Sequence, residues 1–192
     1  RNVIISNIIA TDCSQIGCSI TGLPGHNIEN VILTNIHLGF DGAGSKEDTS
    51  RKILEKPKSY PESVMFGTLP AYGFFCRHVN GLKFQNIRFE TSSEDYRHAI
   101  VFDDVDEAVI DSLVAPFASG AAGMIRCRNS QNILIRNCQP PNPTDLFLEL
   151  NGTRANNILL LSNDLRNVKD VTHSTADVSE SALVFQANLL PK

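Results

Sequence analysis

The residues with the clearest potential for acid–base chemistry are a run of carboxylates and one histidine that follows a glycine. The carboxylates are Asp103, Asp104, Asp106 and Glu107, and the histidine is His26. A hydrolase that works with two carboxyl groups needs one to protonate the leaving group and another to activate water. Consecutive residues of an extended chain, however, point to opposite faces. The run therefore also fits a solvated bend, and a calcium-binding carboxylate cluster is a further alternative.

The composition argues against several classes of function. The 192 residues carry a formal net charge of −4 and are 42% hydrophobic, so no basic surface for nucleic acid stands out. No apolar run approaches the ~20 residues that a membrane-spanning helix needs. The five cysteines form no C-x-x-C pair and no Cys/His spacing typical of zinc, which favours buried apolar roles and predicts no metal site. Whether Cys13 and Cys18 form a disulfide stays open.

The elements that must position any site are short strands in a repeat of about 25 residues. In six segments, apolar residues lie two apart, a polar residue interrupts them, and the alternation restarts one residue late. An asparagine suits such a corner because its short side chain tolerates left-handed backbone angles and can hydrogen-bond to the next coil. The segments are 2–10, 30–38, 81–89, 107–115, 132–140 and 157–165, and the first five have Asn7, Asn35, Asn86, Ser112 and Asn137 at the corner.

This repeat predicts an all-β fold, a right-handed parallel β-helix with about six coils of about 25 residues each. A leucine-rich repeat has a similar period, but it has one strand per repeat and a helix on the return side. Two apolar alternations per repeat and almost no helix signal favour the β-helix. Residues 1–192 are interpreted as a single domain.

The strands that precede the corners can be aligned, and the alignment predicts the stacking on one wall. The inward column would be Cys76, Phe102, Ile125 and Leu148. The outward neighbours would form a ladder of alternating charge, Arg77, Asp103, Arg126 and Glu149. The same register turns an apolar stripe outward, which a loop or a partner should cover: Phe75, Val101, Met124 and Phe147.

One segment, residues 39–71, interrupts the repeat as an inserted loop. Glycines open it, prolines close it, and its charged stretch favours a short helix at about 47–54. Loops of this length in compact folds are usually functional. Two interpretations follow, a wall of a binding cleft or a cover for the apolar stripe.

Two stretches of the sequence resemble glycoside hydrolase family 28, the polygalacturonases and their bacterial relatives. They are CSITGLPGHNIENVILTNI at 18–36 and YPESVMFGTLPAYGFFCRHVNGLKFQNI at 60–87, and the likeness extends over about residues 2–115. The resemblance implies a right-handed parallel β-helix, hydrolysis of galacturonic-acid-containing polysaccharide with inversion, no cofactor, and a secreted or periplasmic protein. The implied partner is an acidic, pectin-like polysaccharide, with no nucleic acid and no membrane.

The catalytic pattern of that family runs Asn-x-Asp, Asp-Asp, Gly-His-Gly and Arg-x-Lys, and this chain does not contain it in that order. Asn27 takes the place of the second glycine after His26, and Asp103-Asp104 follows that histidine instead of preceding it. We therefore predict no catalytic residue in the chain and interpret it as the C-terminal part of a longer β-helix. The alternative is a non-enzymatic β-helix that binds carbohydrate or serves in assembly.

Within this resemblance, four residues are candidates for contact with a sugar: Tyr60, Tyr72, Arg77 and His78. Aromatic rings stack on pyranose rings, and Arg or protonated His can pair with a uronate carboxylate. Each also has an ordinary structural interpretation, as a loop anchor, a ladder residue or a corner residue. The first strand would leave a sheet edge open, so we expect missing coils or another chain to cover it.

Overall fold

The computed structural model describes all 192 residues and shows a parallel β-helix of about seven turns. All pairing between its eleven strands is parallel. The predicted fold is confirmed, with about one turn more than the sequence pattern indicated. The strands are β1 (Val3–Cys13), β2 (Cys18–Thr21), β3 (Ile28–Phe40), β4 (Ala71–Thr91), β5 (His98–Val114), β6 (Ile125–Arg128), β7 (Gln131–Arg136), β8 (Thr144–Asn151), β9 (Asn156–Leu161), β10 (Val168–Ser174) and β11 (Leu183–Gln186).

Stacked turns place equivalent residues above one another and bury one continuous core. The strand order β1-β3-β4-β5-β6-β8-β10 follows successive turns, and the inward side chains form a cluster of 35 buried residues. No α-helix returns between the strands, so the leucine-rich repeat is excluded. None of the helical segments is long and apolar enough to cross a membrane.

The predicted corner residues adopt left-handed backbone angles, as expected. Asn7, Asn35, Asn86, Ser112 and Asn137 have φ values of 55–61°. The column is held by side-chain hydrogen bonds: Nδ2 of Asn86 donates to Oδ1 of Asn35 over 2.8 Å, and Nδ2 of Asn35 donates to Oδ1 of Asn7 over 2.9 Å. The skipped alternation in the sequence is therefore a bend in the coil.

A second corner column lies five residues earlier in each segment, and the sequence analysis missed it. Its members also have positive φ: Asn2, Asn30, Gly81, Glu107, Asn132 and Asn157. At Gly81, which has a φ of 75°, a Cβ would lie 2.7 Å from Oδ1 of Asn30, so a larger residue needs the Asn30 side chain to move. The signal was present, since each repeat segment begins at this residue.

The long inserted segment belongs to a single turn of the helix. β3 pairs directly with β4, with Ile36 opposite Ile87, so the 51-residue spacing between corners Asn35 and Asn86 is one turn with an insertion. We call residues 41–70 the insertion. It contains a 3-10 helix only at Glu47–Ser50, shorter than the helix predicted at 47–54, and is otherwise irregular.

The register of one wall differs from the predicted alignment by two residues. Cys127, not Ile125, lies opposite Phe102, and Arg128, not Arg126, lies opposite Asp103. Arg126 does lie opposite Glu149, as predicted. A slip of two residues leaves every side chain on the same face, so the alternation of apolar residues could not reveal it.

The outward apolar stripe is shorter than predicted. Phe75 and Val101 form it, and Ile53, Phe66 and Leu69 of the insertion pack over them. The prediction was wrong for Met124 and Phe147, which pack into the main core. The insertion therefore covers an apolar surface on two turns and leaves the next turns of this wall to polar residues.

Candidate functional site

A groove of about 730 Å³ lies between the insertion and the wall beside it. Residues 49–55 of the insertion form one side. The other side comes from outward residues of four successive turns, at Arg77, Asp103, Arg126 and Glu149, together with the corner residues that follow them. We call this space the groove. The insertion is thus both a cover for the apolar stripe and a wall of a cleft.

The lining of the groove is mostly polar and carries an excess of positive charge, although the chain as a whole has a net charge of −4. Only three lining residues are hydrophobic. Six basic side chains, Arg51, Lys52, Arg77, Arg126, Arg128 and Arg154, face four carboxylates, Glu55, Asp103, Asp104 and Glu149. The groove therefore favours an anionic occupant.

Each carboxylate of the groove already has partners within the protein. Asp103 accepts two hydrogen bonds from Arg128, from Nε over 2.9 Å and from Nη2 over 2.5 Å. Oδ1 of Asp104 lies 2.6 Å from Nη1 of Arg154, and Glu55 lies 3.3 Å from Nη1 of Arg77. These three carboxylates and their three arginine partners therefore neutralise one another, and the excess of positive charge belongs to the remaining basic groups.

Lys52 and Arg126 line the groove without a direct ion pair, although Arg126 lies opposite Glu149 on the next turn. Arg126 donates from Nη1 to the carbonyl of Thr49 over 2.8 Å, while its Nε is buried and has no hydrogen-bond partner. Burial lowers the pKa of Arg126 from its ordinary value, and nearby Glu149 opposes that effect. The guanidinium of Arg126 nevertheless remains charged at neutral pH, and a charged planar guanidinium suits a carboxylate ligand.

Glu149 belongs to a cluster that the sequence analysis did not find. Its Oε2 lies 2.9 Å from Nε2 of the fully buried His98, and its Oε1 accepts from Nδ2 of Asn151 over 3.1 Å. Burial alone would raise the pKa of Glu149, but the hydrogen bonds from His98 and Asn151 and the charge of Arg126 lower it to about 2. Burial lowers the pKa of His98. The cluster joins residues 51 positions apart, and no spacing in the sequence indicates it.

Two of the four predicted sugar-contact residues line the groove. Arg77 is 4% exposed, and its guanidinium donates to the carbonyl of Ile53 over 2.6 Å and lies 5.5 Å from the centre of the Phe75 ring. The ring of His78 lies between two carboxylates, with Nδ1 2.6 Å from Asp104 and Nε2 3.1 Å from Glu55. Both residues therefore also fasten the insertion to the wall.

The two tyrosines lie elsewhere. Tyr72 is 2% exposed in the core, where its hydroxyl donates to the carbonyl of Pro116 over 2.8 Å and its ring contacts Phe40 and Phe89 edge-on. Tyr60 is 81% exposed on the insertion and does not line the groove. Sugar binding by the four residues stays a prediction.

The carboxylates and the histidine with the clearest catalytic potential do not come together. His26 lies in the turn that its short bridge to Leu23 closes. Asp103 lies on the outward face of the wall and forms an ion pair with Arg128. Asp106 binds Gln131 and Asn132 on another stretch of the coil. The structure brings no three His, Cys, Asp or Glu side chains into an arrangement that could hold a metal ion.

Comparison with known proteins gave no assignment: no protein-family model matches the chain, and no curated protein or solved structure shows a significant match.

Proposed function

We propose that the chain is part of a polygalacturonase-like carbohydrate-active protein and that its groove binds an acidic, pectin-like polysaccharide. The observation that carries the proposal is the excess of six basic side chains over four carboxylates in the groove, three of those carboxylates being paired with arginines. The β-helix fold and the likeness of residues 2–115 to glycoside hydrolase family 28 point to the same class of ligand. A protein of this kind acts on polysaccharide outside the cell, so the proposal includes export.

The arrangement of the cations suits a long ligand. Arg126 and Arg154 lie on successive turns, and turns of a β-helix stack ~4.8 Å apart. A sugar chain that runs along the axis of the helix would therefore pass the guanidinium groups of both residues, of which that of Arg154 is shared with Asp104. Arg126 lines the groove with a planar guanidinium, a group that matches a carboxylate better than a neutral hydroxyl.

The test is binding of polygalacturonate to the purified chain, measured by calorimetry at low and high salt. Arg126→Gln and Lys52→Gln each remove one positive charge from the groove, and we expect roughly 3-fold to 10-fold weaker binding for each, with a loss of affinity at high salt. Lys83→Gln is the matched control, because Lys83 lies on β4 beyond the groove. Equal loss in the control, or equal binding of a neutral dextran, would contradict the proposal.

The second candidate function is a non-enzymatic module that binds the same polysaccharide. It is favoured by the lowered pKa of Glu149, about 2, because a general acid for glycoside cleavage needs a raised pKa. The isolated chain should then release no reducing ends from polygalacturonate. Turnover that Asp103→Asn or Glu149→Gln abolishes would place the catalytic groups inside this chain and overturn both the module and our assignment of no catalytic residue to it.

A further inference from the structure

The ring of His78 lies between carboxylates that belong to two different parts of the fold. Nδ1 lies 2.6 Å from Oδ2 of Asp104 on β5, and Nε2 lies 3.1 Å from Oε1 of Glu55 on the insertion. His78 is a residue of β4 with a left-handed φ of 52°, and its side chain is only 12% exposed. The ring is therefore held at the place where the insertion meets the wall.

A carboxylate on each side of an imidazole distinguishes the two protonation states of the ring. The protonated ring donates from both nitrogens, whereas a neutral ring donates from one nitrogen and has a lone pair on the other. The contact between Nδ1 and Asp104 is the shorter of the two, so the neutral ring keeps its proton there. Nε2 and the Glu55 carboxylate are then both acceptors. Loss of one proton therefore turns an attractive contact between the insertion and the wall into a repulsive one.

The other charged groups around the ring keep their charge while histidine titrates. Glu55 also lies 3.3 Å from Nη1 of Arg77, and Asp104 lies 2.6 Å from Nη1 of Arg154. Carboxylates and guanidinium groups stay ionised between about pH 5.5 and pH 8. β2, which pairs with β4 on the side of the preceding turn, has no charged side chain, and the groove is lined by no second histidine. A change of charge in this pH range therefore depends on His78.

We propose that His78 is a pH-sensitive latch: its protonated ring holds the insertion against the wall, and loss of the proton releases the segment around Glu55. The release is local, because the hydrogen bond from Arg126 to the carbonyl of Thr49 does not depend on that proton. The protonated ring also adds one positive charge to the groove. The consequence for ligand affinity rests on the proposed function of the groove, whereas the latch itself does not.

Limited proteolysis with thermolysin tests the latch without any ligand. The rate of cleavage within residues 49–58 is divided by the rate for a free peptide of residues 47–60 at the same pH, which removes the pH dependence of the protease. Mass spectrometry locates the cuts. We expect this ratio to rise roughly 3-fold to 10-fold from about pH 5.5 to about pH 8, because a hydrogen bond between charged groups is lost.

Two variants should remove the pH dependence in different ways. His78→Asn keeps a residue type that tolerates the left-handed backbone but does not titrate. Glu55→Gln keeps the ring, and its amide accepts from the protonated Nε2 and donates to the neutral one. In both variants we expect the ratio to change less than about 2-fold. His37→Asn is the matched control and should behave as the wild type, because His37 lies 3.1 Å from Glu90 outside the groove.

A wild-type ratio that stays constant with pH, or a rise that both His78→Asn and Glu55→Gln retain, would overturn the proposal. Calorimetry with polygalacturonate at the same two pH values and constant ionic strength gives the second readout, and we expect roughly 3-fold to 10-fold weaker binding at about pH 8. Equal affinity at both pH values would refute the link between the latch and the groove. No binding at either pH, with the expected cleavage ratios, would contradict the proposed function and support the latch.

Discussion

Asp95 and Arg97, two residues apart in the chain, form a fully buried two-point ion pair beneath the insertion. Nε of Arg97 lies 2.9 Å from Oδ1 of Asp95, and Nη2 lies 2.7 Å from Oδ2. The pair also binds both ends of the insertion: Asp95 accepts from the backbone N–H of Gly44 over 3.0 Å, and Arg97 donates to the carbonyl of Leu69 over 3.2 Å. One ion pair therefore fixes where the insertion leaves and rejoins the β-helix.

Removal of one member of this pair should destabilise the protein strongly. Arg97→Ala leaves the carboxylate of Asp95 buried without its cation, and we expect a loss of about 3–5 kcal/mol in the free energy of unfolding. Denaturant unfolding measures it, and limited proteolysis should cut first within residues 41–70. Arg166→Ala is the matched control, because Asp164 and Arg166 form the same two-point pair at the surface. A comparable loss in both variants would show that burial is not the cause.

Replacement of Gly81, the glycine of the second corner column, should destabilise the protein. Gly81→Ala forces a side chain into a left-handed residue and against Oδ1 of Asn30, so we expect a loss of roughly 2–3 kcal/mol. Gly25 has the same φ of 75° but open space around its Cβ position. Gly25→Ala should therefore lower the free energy of unfolding only by the cost of a left-handed alanine, about 1 kcal/mol. Similar losses measured by chemical denaturation would mean that the contact with Asn30 contributes nothing.

Asn35, a middle residue of the first corner column, should stabilise the fold through both its backbone angle and its hydrogen bonds. Asn35 has a φ of 55°, donates to Asn7 and accepts from Asn86. Asn35→Gly keeps the angle but loses both hydrogen bonds, and we expect about 1 kcal/mol of destabilisation. Asn35→Ala adds the cost of a left-handed alanine, for a total of about 2 kcal/mol. Thermal unfolding should rank the wild type above the glycine variant and the glycine variant above the alanine variant; the reverse order of the two variants would refute this account.

The His98–Glu149 cluster should make the stability of the protein depend on pH in the acidic range. The pKa of Glu149 is lowered to about 2 in the folded protein. The ionised carboxylate therefore stabilises the fold fully at pH values above the ordinary glutamate pKa of ~4.3, and this stabilisation is lost as pH falls toward 2. The lowered pKa of His98 acts in the same direction, because the unfolded chain takes up that proton first. We expect Glu149→Gln to cost about 1–2 kcal/mol at pH 7 and progressively less in acid. Glu62→Gln, on the exposed part of the insertion, is the control, and a pH-independent difference for Glu149→Gln would contradict the prediction.

The fold could be predicted because each coil repeats the same local sequence pattern. The corner at Asn35 shows this, since a left-handed residue between two apolar alternations can only bend the strand, and the same device recurs every 25 to 28 residues outside the insertion. The column of Asn2, Asn30 and Gly81 carried the same signal and was overlooked. The register around Ile125 was not predictable from pattern, because a shift by two residues preserves which side chains face the core.

The amino-acid sequence by itself determined the β-helix, its corners and the place of the insertion, because those properties depend on local periodicity. Only the tertiary structure decided that Arg77 fastens the insertion, that Tyr72 is a core residue, and that Lys52 and Arg126 share a groove. The reason is that stacked turns and the folded-back insertion bring together residues 23 to 77 positions apart, and charge compensation depends on that proximity in space, which no spacing along the chain records.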